Sequence, residues 1–292
     1  MNKKYKGIIL IVSSAFFFAL MMMFVRLAGD LPSMQKAFFR NAVAVVFSLI
    51  VLLKDKSAFH IPKGSLKYLV MRSLFGTTGI ICNFYAIDRL VLADASILNK
   101  MSPFFAIVFS FILLKEKVKP FQLGVVITAF LGSLLVIKPS FQNTELFPAL
   151  MGLVGGLGAG LAYTFVRKCG ELGVKGPLIV FFFSLFSCVV LCPFLIFDYH
   201  PMTAKQLIFL VLAGLSASGG QFTITAAYFY APAREISVYD YSQIVFTSLL
   251  GFFVFGQTPD ALSVAGYVII VLMAVLMFMY NTGKCFNKNK KV

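Results

Sequence analysis

FVRLAG, residues 24–29, returns as FVRKCG at 165–170, an offset of 141 residues, and that return decides how the chain is organised. Carried forward, the same offset sets Gly79 on Gly220, Ala86 on Ala227 and Ser96 on Ser237, and at 142 it sets Gly124 on Gly266. Residues 1–141 and 142–292 are thus expected to repeat one plan, the second half ending in a basic cytoplasmic tail. Each half holds five apolar stretches close to the roughly 20 residues that a helix needs to cross a bilayer. They fall near 7–27, 35–53, 66–87, 92–114, 121–138, 147–168, 177–197, 206–228, 236–256 and 261–280. Turn signals such as GDLPS at 29–33, HPM at 200–202 and QTPD at 257–260 punctuate them. An odd number of crossings per half makes the second half enter from the opposite face. The expected fold is an all-α integral membrane protein, ten transmembrane helices built as two inverted five-helix repeats.

Composition agrees with that setting. The chain is 60% hydrophobic and 13% charged, against about 25% charged for a soluble domain. A net charge of +15 invites a nucleic-acid reading, but the cations sit in short connectors instead of lining one face, so no nucleic acid is expected. Eighteen Lys and Arg fall in one set of connectors and three in the other. By the positive-inside rule both termini are cytoplasmic, in a multi-pass protein of the cell membrane. Lys3, Lys4 and Lys6 before an apolar run also resemble a signal peptide. Without an A-x-A cleavage site the run is read as the first helix.

Five cations remain in or beside the spans. Arg26, Lys36, Arg40 and Arg72 lie near expected helix ends, where long side chains snorkel to the interface. Lys100, the only cation between Leu92 and Leu114, has the weakest claim to that explanation. Ser96, Asn99, Lys100 and Pro103 share one face of a continuous helix, and the offset places Asn99 and Lys100 on Asp240 and Tyr241, whose helix carries Ser237. A charge in hydrocarbon costs at least about 2.5–3.5 kcal/mol, so both stripes are expected to face a cavity or each other. One reading is a structural ion pair between Lys100 and Asp240. Counting 1.5 Å per residue from the helix ends instead leaves a gap of roughly 13 Å between them, which an amphoteric metabolite would fill. Asn83, Tyr163, Thr164, Gln221, Thr225, Tyr239 and Gln243 either complete such a pocket or make helix-to-helix hydrogen bonds. Pro103 is expected to loosen its helix below Lys100.

The run ADASILNKMSPFFAIVFSFILLKEKVKPFQLG at 93–124, answered by APAREISVYDYSQIVFTSLLGFFVFGQTPDALSVAG at 231–266, resembles the EamA-type branch of the drug/metabolite transporter superfamily. FFRN at 38–41 is similar to that family's first-half arginine segment. The resemblance implies a ten-helix secondary transporter of small metabolites. The expected substrate is an amino acid or a related amphoteric compound, with nucleoside-like, S-adenosylmethionine-like and organic-anion substrates, or a channel, as the alternatives.

Lys100, Asn99, Ser96, Asp240, Tyr241, Asn83, Gln221, Tyr163, Tyr239 and Gln243 are the expected substrate contacts, with Asp240 as the coupling residue and Pro103 as the helix kink. No enzyme, cofactor or metal site is expected. His60 and His200 lie in connectors, and there is no phosphate-binding glycine loop. The expected partners are a small-molecule substrate and the lipid bilayer, and a homodimer is compatible with the chain.

Overall fold

The computed structural model describes residues 3–54, 59–114, 119–137, 145–230 and 237–281, and every regular element among them is helical. In chain order these are α1 (Lys3–Leu27), α2 (Ser33–Lys54), α3 (Leu66–Arg89), α4 (Leu92–Asn99), α5 (Ser102–Leu114) and α6 (Pro120–Ile137). The second half follows with α7 (Leu146–Glu171), α8 (Gly176–Phe197), α9 (Ala204–Tyr230), a 3₁₀ turn (Ser237–Tyr241), α10 (Ser242–Phe255) and α11 (Ala261–Asn281).

Seven segments among the described residues are long and apolar enough to cross a membrane: Tyr5–Leu27, Ser33–Lys54, Leu92–Leu113, Leu146–Glu171, Gly176–Phe197, Ala204–Ile224 and Ala261–Tyr280. Helix α3 is not one of them, because Lys67, Arg72, Asn83, Asp88 and Arg89 lower its hydropathy. The apolar part of α6 is short, and α10 spans only 14 residues.

Two expected spans are interrupted, which corrects the continuous helices read from hydropathy. The stretch 92–114 breaks at Lys100–Met101. The Lys100 N–H still bonds the Ser96 carbonyl at 3.0 Å, but Met101 tightens onto Leu98 at 3.2 Å before α5 begins. Pro103, expected as a kink within one helix, instead sits in the first turn of α5, where its missing N–H has no helical partner to lose. The stretch 236–256 opens as the 3₁₀ turn and becomes α-helical only after Tyr241. Because Lys100 and Tyr241 are 141 residues apart, the two halves break at the same point of the repeat.

Packing follows the same offset. Helix α3 lies along α7 and α1 along α9, two contacts that exchange when the halves are interchanged. The contacts of α2 with α8 and of α6 with α11 map onto themselves. Lipid offers apolar side chains no refuge that packing improves upon, so close approach of backbones carries the association. Helix α7 supplies it with glycine: a Cβ on Gly156 would lie 2.6 Å from the Leu98 carbonyl oxygen, and one on Gly160 2.8 Å from that of Ser102. The broken helix is thus seated directly on the α7 backbone.

Candidate functional site

The two breaks meet. Lys100 Nζ stands 2.5 Å from Asp240 Oδ2, both side chains nearly buried at 8% and 13% exposure, and the Tyr241 hydroxyl donates to the Lys100 carbonyl at 3.0 Å. The expected gap of roughly 13 Å is therefore wrong for this conformation, and the ion-pair alternative is the arrangement present. Depth counting failed because it assumed straight α-helices on both sides. Lys100 closes a regular α4, but Asp240 lies in a 3₁₀ turn, so its depth does not follow from the α-helical rise.

Beside the pair lies a cavity of about 90 Å³ walled by both halves. Of the expected contacts, Lys100 and Asn99 reach it from the α4 break, Asn83 from α3, Tyr163 from α7, Gln221 from α9 and Gln243 from α10. Tyr163 is the most accessible of these polar residues, while Lys100, Asn83 and Gln243 are buried. Phe18, Met22, Phe84 and Phe183 supply apolar wall.

The other expected contacts stand elsewhere. Asp240 and Tyr241 lie behind Lys100, holding it, and are not part of the lining. Ser96 is fully buried and outside the lining, and its hydroxyl has no hydrogen-bond partner. Tyr239 points away, its ring edge-on to Phe278. Thr164 bonds the Gly160 carbonyl of its own helix. The side chains of Pro103, Thr225 and Ser237 lie outside the described residues.

The snorkelling reading fails for Lys36, Arg40 and Arg72, which are buried, whereas Arg26 stays half-buried in the last turn of α1. Lys36 is fully buried and pairs with Asp88 at 2.5 Å. Arg26 donates to the carbonyls of Ile87 and Leu90. Arg40 and Arg72, 2% and 4% exposed, line the cavity itself. One Arg40 Nη donates to Asn41 Oδ1 at 2.6 Å, and the Arg72 guanidinium lies 3.6 Å from the Phe183 ring centre. A sequence signal for them exists. Lys36, Arg40, Ala44 and Ser48 recur every four residues in α2, and Arg72, Gly76, Gly79 and Asn83 recur at three or four in α3. Polar and small residues in one stripe of a membrane helix mark the face turned from lipid.

Sequence relationships agree with this architecture. The sequence model of the EamA-like transporter family matches residues 5–138 and again 146–279, so the two matches begin 141 residues apart and end 141 apart. The chain belongs to the EamA-like transporter family. It is similar to the pseudopaline exporter of Pseudomonas aeruginosa, 31% identical over 273 residues covering 93% of this chain and 95% of that one. Human solute carrier family 35 member G1 is 26% identical over 91% of this chain and 76% of its own length. The riboflavin transporter of Brucella anthropi is 24% identical, covering 87% and 90%. One solved crystal structure superposes with a TM-score of 0.69 over 96% of this chain and 99% of its own, at 14% identity, a likeness of fold alone. The EamA-like chain is accordingly an integral membrane transporter with a two-repeat helical fold.

Proposed function

We propose that this EamA-like transporter is a secondary carrier of a small carboxylate-bearing metabolite, an amino acid or a related compound, and that it works by alternating access. Ten crossings of the cell membrane, with both termini cytoplasmic, turn the second five-helix half over relative to the first, so the halves rock about a site between them. The observation that carries the reading is the meeting of two interrupted helices, one from each half, beside a cavity that polar and charged side chains enter from both halves. Unwound backbone and half-helix ends at such a point supply groups that a continuous helix keeps to itself. A single Lys–Asp pair between halves suits a carrier better than a channel, which favours rings of like charge.

In the proposed cycle a substrate carboxylate takes Lys100 from Asp240, and Asn99, Asn83, Gln221, Gln243 and Tyr163 orient the rest of the molecule. Asp240, released, takes up the coupling proton. The names of the relatives, a pseudopaline exporter and a riboflavin transporter, place no common substrate on the family, so chemistry at the cavity carries the choice of a carboxylate. Counterflow of a labelled metabolite panel in proteoliposomes tests the reading. Trans-stimulated uptake of at least one carboxylate-bearing compound is expected. Flux without trans-stimulation would make the protein a channel, and a chemically changed product would make it an enzyme.

A further inference from the structure

We infer that Arg40 and Arg72 form an anion subsite that commits the cavity to a small organic dianion, an assignment that deepens the carrier reading and rests on it for the cavity's role in transport. Electrical imbalance comes first. Lys100 is neutralised by Asp240, but among the described residues no carboxylate stands against either arginine. A guanidinium keeps its proton in proteins, so three cations face a single carboxylate and the site carries two net positive charges. The two arginines lie close enough to repel each other, and leaving a buried ion unpaired costs several kcal/mol.

Unused donors come second. The Nε of Arg40 and the Nε of Arg72 are both buried with no hydrogen-bond partner. Of their remaining donors, one Arg40 Nη is spent on Asn41. Phe183 takes the face of Arg72, which leaves the donor edge of that planar group free. A guanidinium presents its donors as a fork that matches the two oxygens of a carboxylate. Two such forks at one cavity fit two carboxylates, or one dianionic head, better than a lone carboxylate.

Size comes third. A cavity of about 90 Å³ is several times the about 10–15 Å³ needed to hold one water, so it admits a small organic molecule such as succinate and not only a lone ion.

The test uses the purified full chain in phosphatidylcholine nanodiscs, where no anionic lipid competes, with labelled succinate as probe and butyrate and threonine as competitors. All three share a four-carbon skeleton and differ in net charge. Succinate is expected to bind at least tenfold more tightly than either competitor. Arg40→Gln and Arg72→Gln should each remove at least tenfold of that affinity, while Arg40→Lys and Arg72→Lys, which keep the charge, should preserve the order succinate over butyrate. The wild-type comparison stands even if a Gln variant fails to fold. Equal affinity for succinate and butyrate in the wild type, or undiminished succinate binding in folded Gln variants, overturns the subsite. Trans-stimulated counterflow of a zwitterion that is unaffected by Arg40→Gln would sink the subsite and leave the carrier. Arginine-dependent succinate binding without trans-stimulation of any compound would do the reverse.

Discussion

Lys100 and Asp240 are worth more to each other than either is alone. With the partner removed, Asp240 would keep a nearly buried carboxylate whose Oδ1 already lacks a donor. Lys100→Met is therefore expected to destabilise the protein by about 3 kcal/mol, at the lower end for a broken buried pair. Adding Asp240→Asn should restore most of that loss, because the neutral amide no longer needs the ammonium. Thermal melting of the single and double variants decides the matter, and a single variant that melts like the wild type would deny the pair any holding role. Asp240→Asn alone bears on coupling. If Asp240 carries the transported proton, accumulation driven by a pH gradient should vanish in that variant while substrate exchange, which needs Lys100, persists. Lys100 was legible in the sequence because no other cation lies near it in its stretch. Arg40 and Arg72 were harder to read, since six or seven residues from a helix end a side chain can reach either water or the protein interior. Helix rotation, fixed by tertiary packing, chooses between them.

Glycine decides what the elements can do. Helix α7 holds the α4 break against its own backbone only because Gly156 and Gly160 lack side chains. Gly156→Ala would add a methyl 2.6 Å from the Leu98 carbonyl oxygen, a backbone atom that cannot swing aside. Alanine favours a helix over glycine by up to about 1 kcal/mol, yet overpacking of this kind costs about 1–3 kcal/mol, so net destabilisation is expected. Gly170 lies in the same helix with nothing within 4 Å of a Cβ. Gly170→Ala should be neutral or stabilising by a few tenths of a kcal/mol, the expectation for a helical glycine with open space beside it. Opposite signs of the melting shift for the two substitutions check the argument. The glycine spacing of α7, at Gly152, Gly155, Gly156, Gly158 and Gly160, is plain in the sequence, whereas the break it accommodates is not. Hydropathy runs unbroken through Met101, and the backbone turn at Lys100 costs little enough that contacts with another helix settle it.

At the scale of the molecule, the repeat offset read from FVRLAG and FVRKCG carried the architecture, because both halves must present equivalent surfaces to each other. The distribution of bonds between the halves was not legible, since it belongs to one conformation. At the end of the bundle formed by the α1–α2, α3–α4, α8–α9 and α10–α11 connections, bonds between the halves gather. Gln35 exchanges two hydrogen bonds with the backbone of His200, Gln257 accepts from the Leu92 N–H at 3.0 Å, and Tyr267 donates to Asp94 at 2.5 Å. If the carrier alternates access as proposed, this end parts in the other state. A Cβ on Gly251 of α10 would lie 3.7 Å from the Leu92 Cβ of α4, within the 3.5–4.5 Å range of a disulfide. Cysteines at 92 and 251, introduced after the native cysteines are replaced, should therefore cross-link first half to second under mild oxidation. Cys82, Cys169, Cys188 and Cys192 are all unpaired, so their replacement breaks no bridge. Leu92→Cys shortens a fully buried side chain and should by itself cost about 1–3 kcal/mol, which makes each single-cysteine variant a necessary control. In the oxidised double variant, counterflow is expected to fall to the level of empty liposomes and to return on reduction, while both single variants transport in either redox state. A fully cross-linked protein that still shows trans-stimulated exchange would mean that the α4–α10 contact stays closed throughout the cycle, and that the halves do not separate at this end.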